Sequence, residues 1–132
     1  MYNEFIYPYF EQLASQFGLV YYGCCEPVDT IWDDSISHLP NLRKVSISPW
    51  CNEPFMAEQL AGSKVIYSRK PSPNYLGIET AFDAAAFSQH IQNTVNLTKD
   101  CKREFIFRDI YSMHGNLDKM RQAVAIVRSL AI

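Results

Sequence analysis

Apolar side chains recur along this chain in two alternating patterns. Between residues 3 and 17, Phe5, Ile6, Tyr9, Phe10 and Leu13 stand one, three and four positions apart. That spacing repeats one face of a helix, and Gly18 ends it. Leu19-Val20-Tyr21-Tyr22-Gly23 is a short run of aromatic and branched residues stopped by Glu26-Pro27, which predicts a buried strand. From Asp29 to Leu39, Ile31, Trp32, Ile36 and Leu39 return to helical spacing, and Pro40 closes the segment. Lys44-Val45-Ser46-Ile47-Ser48 predicts a second strand. Asn52 can cap a helix running through Met56, Leu60 and Ala61 to Gly62. Lys64-Val65-Ile66-Tyr67-Ser68 predicts the third strand, followed by the loop Lys70-Pro71-Ser72-Pro73-Asn74. Asp83 to Cys101 is the longest helical pattern, with Phe87, Ile91, Val95 and Leu97 on its apolar face. Glu104-Phe105-Ile106-Phe107 predicts the fourth strand, and Asn116 is the candidate cap of a last helix bearing Leu117, Met120, Val124, Val127 and Leu130.

A helix followed by four strand-helix units predicts an α/β fold with parallel strands joined by right-handed helical crossovers. The units average about 30 residues, the size of one unit of a (β/α)₈ barrel, whose usual length is about 250 residues. The 132 residues therefore read as one domain with four units, half of such a barrel. A small doubly wound, flavodoxin-like sheet fits the same order of elements, and periodicity leaves the two open.

With 48% apolar and 20% charged residues, the chain can bury a core of ordinary size. A net charge of −2 offers no basic footprint for nucleic acid or for an anionic membrane. No apolar run approaches the roughly 20 residues of a membrane helix, and Met1 leads into Tyr2-Asn3-Glu4 rather than into a targeting pattern, so the cytoplasm is the expected compartment. Four cysteines are too few for a disulfide scaffold, and the adjacent Cys24-Cys25 pair is poorly placed to bridge itself; free thiols or metal ligands are expected.

In either architecture ligands bind at the carboxyl ends of parallel strands. Those ends are rich in reactive groups: Cys24-Cys25-Glu26-Pro27, then Ser48-Pro49-Trp50-Cys51, then Ser68-Arg69-Lys70-Pro71, then Arg108-Asp109 with His114 nearby. Thiolate, carboxylate and imidazole are the donors zinc accepts, which makes Cys24, Cys25, Cys51 and His114 the candidate metal ligands. Small core cysteines and a surface or capping histidine are the competing readings. Glu26, Arg69, Lys70 and Asp109 are candidate substrate contacts. Arg69-Lys70 before Pro71 and Pro73 forms a rigid basic loop suited to a carboxylate or phosphate, against the alternative of a solvated pair. Cys101, at the end of the long helix, reads as structural.

The segments Leu19-Val20-Tyr21-Tyr22-Gly23-Cys24-Cys25-Glu26-Pro27, Pro40-Asn41-Leu42-Arg43-Lys44-Val45-Ser46-Ile47-Ser48-Pro49-Trp50 and Ser68-Arg69-Lys70-Pro71-Ser72-Pro73 give the chain a resemblance to the uroporphyrinogen-decarboxylase superfamily. That superfamily has a (β/α)₈ barrel and includes methyltransferases that use zinc to move methyl groups to or from a corrinoid protein. The resemblance implies a C-terminal half-barrel, with zinc and a corrinoid partner in the methyl transfer of the complete protein. Size adds a further expectation: four parallel strands from half a barrel leave two unpaired edges, so a companion N-terminal half-barrel or a second copy in a homodimer is expected to close them. Two departures stand out: Tyr22 occupies the position of the family's His-x-Cys histidine if Cys24 matches its cysteine, and no cysteine follows the last strand. A non-catalytic half-barrel that binds a small molecule or protein, or a self-assembling truncated product, is the alternative. On the half-barrel reading, Tyr, Val and Ile are expected on the inner sheet face.

Overall fold

The computed structural model describes residues 1–78 and 80–131. Four strands, β1 (Val20–Tyr22), β2 (Leu42–Ile47), β3 (Ile66–Arg69) and β4 (Arg103–Phe105), form one sheet in the order β1-β2-β3-β4. Every neighbouring pair is parallel. The chain is therefore α/β with an all-parallel sheet, as the alternation of periods predicts. The order follows the chain without reversal. Consecutive barrel units are arranged in this way, whereas a doubly wound sheet reverses its order at a switch point.

The helical layer consists of α1 (Tyr2–Phe5), α2 (Tyr7–Ala14), α3 (Glu53–Leu60), α4 (Asn74–Gly77), α5 (Ala84–Leu97) and α6 (Asp118–Ala131). Asn52 caps α3 as expected, its Oδ1 accepting from the Phe55 amide at 3.1 Å. Asp83 caps α5 in the same way, accepting from Ala86 at 2.9 Å. Asn116 instead donates its side-chain amide to the Thr80 carbonyl at 3.0 Å, two residues before α6 begins.

Two predicted helices differ. The first is interrupted at Ile6, and α2 restarts with Pro8 in its first turn. Proline has no N–H to continue the bonding ladder, so the helix cannot run through it. The restarted helix buries Tyr7 and Ala14 and packs Phe10 edge-on to Tyr22, while Phe5, Ile6, Tyr9 and Leu13 stay exposed, so of the expected face Phe10 alone packs on the core. The second predicted helix, over 29–39, is two 3₁₀ turns, Val28–Ile31 and Ile36–His38. Asp33, Asp34 and Ser35 are weak helix formers, and Asp29 turns its carboxylate to the Asn52 amide at 3.1 Å. The apolar positions there are nonetheless core residues: Trp32, Ile36 and Leu39 are all buried.

One core cluster lies between β1–β3 and the helical layer, centred on Ile36, Val45, Ile47, Met56, Leu60 and Tyr67. A second joins α5 and α6 over β4, centred on Leu76, Phe87, Ile91 and Ala123. The strand residues facing these clusters are Tyr22, Val45, Ile47, Tyr67 and Phe105. The pleat sends alternate residues to the opposite face. That second face carries Tyr21, Lys44, Ser46, Ser68 and Glu104, which corrects the expectation of an apolar inner face. Over the last four residues of β2, Val45 and Ile47 share one parity and Lys44 and Ser46 the other, so that stretch is apolar on one side only.

Candidate functional site at the carboxyl ends of the strands

Parallel pairing brings the four strand-end segments to one edge of the sheet. Cys25, Ser48, Trp50, Lys70, Pro71, Arg108 and Asp109 line a small cleft there. Trp50, 68% exposed, also borders two adjoining openings, one with Cys25 and Glu26 and the other with Pro73, Tyr75 and His90. Of the expected substrate contacts, Lys70 and Asp109 line the cleft and Glu26 lies in the opening beside it.

Arg69 does not line this cleft. By alternation it points into the helical layer, where it is 1% exposed and pairs with Glu53 at 2.5 Å. It also donates to the Ser48 carbonyl at 2.7 Å. Glu53 accepts further bonds from Tyr67 Oη at 3.2 Å and Thr94 Oγ1 at 2.7 Å. Burial first, then the Glu53 charge, pushes the Tyr67 hydroxyl well above the usual range, with Arg69 opposing. The basic pair thus divides: Arg69 binds the framework, and Lys70 faces the cleft.

Lys70 is only 4% exposed. Its Nζ donates to the Cys24 carbonyl at 3.0 Å, which also accepts from Ser46 Oγ at 2.8 Å. Among the described residues no carboxylate pairs with this ammonium. Arg108 and Asp109 form an exposed pair at 3.1 Å. The hydrogen bond to Asp109 holds the Arg108 pKa up, and the neighbouring Cys25 thiol acts in the same direction. Asp109 has φ 60°, a left-handed conformation that aspartate tolerates better than most residues.

The four expected metal ligands have separate surroundings. Cys24 Sγ accepts from the Glu26 amide at 3.3 Å, and Cys25 is exposed in the cleft. Cys51 belongs to the core, where its Sγ accepts from the Val28 amide at 3.4 Å. His114 Nε2 lies 3.0 Å from the Gly77 carbonyl. Among the described residues no group of three or more His, Cys, Asp or Glu is arranged to hold a metal ion. Cys101 donates to the Ala57 carbonyl, and burial pushes its thiol pKa up. Thiol chemistry should follow these differences. With a chromogenic disulfide at pH 8, Cys25 is expected to react first and Cys51 and Cys101 at least about tenfold more slowly. Equal rates for all four, measured by mass spectrometry of quenched samples, would contradict the burial pattern.

A second polar cluster, missed by reading the strands as apolar runs, occupies the opposite sheet face. Lys44 Nζ lies 2.9 Å from Glu104 Oε1 and 4.4 Å from the centre of the Tyr21 ring. Ser68 Oγ donates to the same Glu104 oxygen at 2.7 Å and sits 3.4 Å from Tyr21 Oη. Desolvation raises the Glu104 pKa, but the hydrogen bonds from Lys44 and Ser68 and the Lys44 charge outweigh it, so the carboxylate is held below its usual range. The signal was the alternation Lys44-Val45-Ser46-Ile47, since a strand covered on both faces reads apolar throughout. No known family model matches the chain, and no characterised protein or solved structure matches it either.

Proposed function

We propose that the chain is a half-barrel whose strand-end cleft binds a small anionic molecule bearing a carboxylate or phosphate. One observation carries this reading: the Lys70 ammonium is almost fully withdrawn from water, lines the cleft, and has a single carbonyl partner and no counter-charge among the described residues. A buried cation without a counter-ion is unfavourable, and an anion in the cleft relieves it. An ammonium has three donors, and the Cys24 carbonyl takes one of them. Arg108 supplies a second cation at the rim. The exposed Trp50 indole gives an apolar surface for the rest of the ligand. Pro71 and Pro73 restrict the loop that carries Lys70, which lowers the entropy lost on binding.

The test is a titration of the ¹⁵N-labelled chain with inorganic phosphate and with succinate at millimolar concentrations. Amide signals of Cys25, Lys70 and Arg108 and the Trp50 indole signal are expected to shift together along one saturable curve. Shifts scattered over the surface, or none, would overturn the proposal.

Methyl transfer to a thiol, as in the uroporphyrinogen-decarboxylase-like methyltransferases, is the second reading. It is favoured by the exposed Cys25 thiol beside Arg108 in the same cleft. Among the described residues no three candidate ligands are grouped to hold zinc, so this reading assigns zinc no step here and leaves the corrinoid to a partner protein. Methylation of Cys25 by a methyl donor, read by mass spectrometry and lost on Cys25→Ser, would support it, and a Cys25 that stays unmethylated would remove it.

A further inference from the structure

We propose that the ligand of the strand-end cleft is an aromatic anion, with its charged group at Lys70 and its ring in the adjoining opening lined by Trp50 and Tyr75. The inference rests on the reading of Lys70 as an anion site and deepens it by stating which anions fit. Pro49, Trp50 and Pro73 belong to the walls of both the cleft and this opening, so the two adjoin directly. The opening measures about 440 Å³, within the roughly 300–1,000 Å³ of small-molecule pockets. A cavity of roughly 150 Å³ already takes benzene, so one or two rings fit here.

The lining suits a ring. Tyr75 is held by its own chain, its ring 5.2 Å from that of His90 at 33° and 5.5 Å from that of Phe87 at 72°. These neighbours keep the phenol in place as a preorganised stacking surface. The exposed Trp50 indole and the rigid rings of Pro49 and Pro73 supply further flat apolar walls. His90, which lines the same opening, adds a polar contact: its Nε2 is shut off from water and has no hydrogen-bond partner among the described residues. Burial, then the Arg69 charge, holds the His90 pKa below its usual range against the pull of Glu53. The imidazole is therefore neutral and carries one donor and one acceptor. An unpaired buried polar atom is costly, and a polar substituent on the ligand ring that reaches Nε2 gives it a partner.

Charge selects this side of Trp50 over the other. The opening that holds Cys25 and Pro27 is bordered by the exposed Glu26 carboxylate, which repels an anion, and has no aromatic ring besides Trp50. On the Tyr75 side the polar lining is Ser72, Asn74 and the neutral His90, none of them ionised. An anion seated at Lys70 therefore turns its uncharged body toward Tyr75.

The experiment titrates three phosphate monoesters of equal charge, with phenyl, cyclohexyl and methyl groups, into the full ¹⁵N-labelled chain. Phenyl phosphate is expected to bind at least about tenfold more tightly than methyl phosphate, the scale of one aromatic stacking contact. It is expected to bind at least about threefold more tightly than cyclohexyl phosphate, which is as apolar but not planar. Its ring protons should show nuclear Overhauser contacts to Tyr75 and Trp50. In Tyr75→Ala, verified as folded by circular dichroism, the phenyl-to-methyl affinity ratio should fall below about threefold. That ratio is insensitive to a general loss of affinity, and if the variant does not fold, the Overhauser contacts in the native chain decide. Equal affinity for the three esters, a cyclohexyl ester as tight as the phenyl one, or ring contacts to Glu26 and Pro27 would each overturn the inference and leave the Lys70 anion site standing. If no ester binds, the anion site and this inference fall together.

Discussion

Replacing Arg69 with methionine is expected to destabilise the fold by about 3–5 kcal/mol, the usual cost of removing one partner of a buried ion pair. The guanidinium joins three elements: it pairs with Glu53 at the start of α3, donates to the Ser48 carbonyl after β2, and belongs to β3. Its loss leaves the Glu53 carboxylate, among the described residues, with Tyr67 and Thr94 as side-chain donors and leaves the Ser48 carbonyl without this donor. The double variant Glu53→Leu/Arg69→Met should recover part of the loss, because no unpaired charge remains buried. Urea denaturation measures both. A single-variant loss below about 1 kcal/mol would mean that the pair is solvated, contrary to the 1% exposure of Arg69.

Phe87→Ala is expected to cost about 3–5 kcal/mol, the range for emptying a buried phenylalanine site. Phe87 is fully buried on α5, with ring centres 5.5 Å from Tyr75, 5.5 Å from Phe82 and 6.2 Å from Phe107. Tyr75 belongs to α4 after the Lys70 loop, and Phe107 immediately precedes Arg108. The cavity therefore lies under both basic arms of the cleft, and the variant should lose anion affinity as well as stability. Phe87→Leu, which retains most of the volume, should lose less of each. If Phe87→Ala unfolds at the native urea midpoint, the second core cluster is not the support described.

The strand positions and the cleft were legible because they depend on short-range pattern. Apolar runs between breakers fix the strands, and parallel strands must deliver Cys25, Lys70 and Asp109 to one edge. Two features depended on detail that composition hides. Spacing alone could not say that Pro8 restarts the first helix with Tyr7 inside and Tyr9 outside. Nor could it show that Arg69, the last residue of β3, and Lys70, the residue after it, point to opposite sides once Tyr67 is in the core. Applying the two-residue period to Tyr67 would have separated them. The Lys44–Glu104 pair joins strands 60 residues apart in the chain, and only the register, with Ser68 opposite Glu104, brings the two charges together.

The central claim is that Lys70 makes the strand-end cleft an anion site. The most direct measurement compares phosphate binding by the native chain, Lys70→Met and the control Lys64→Met, whose side chain is exposed before β3, using the same amide signals. Methionine keeps the length of the lysine stem without its charge, and circular dichroism verifies that each variant is folded. The account predicts saturable binding to the native chain, at least about tenfold weaker binding to Lys70→Met, and native affinity for Lys64→Met. Equal affinity in all three, or no binding to the native chain at millimolar phosphate, would contradict it.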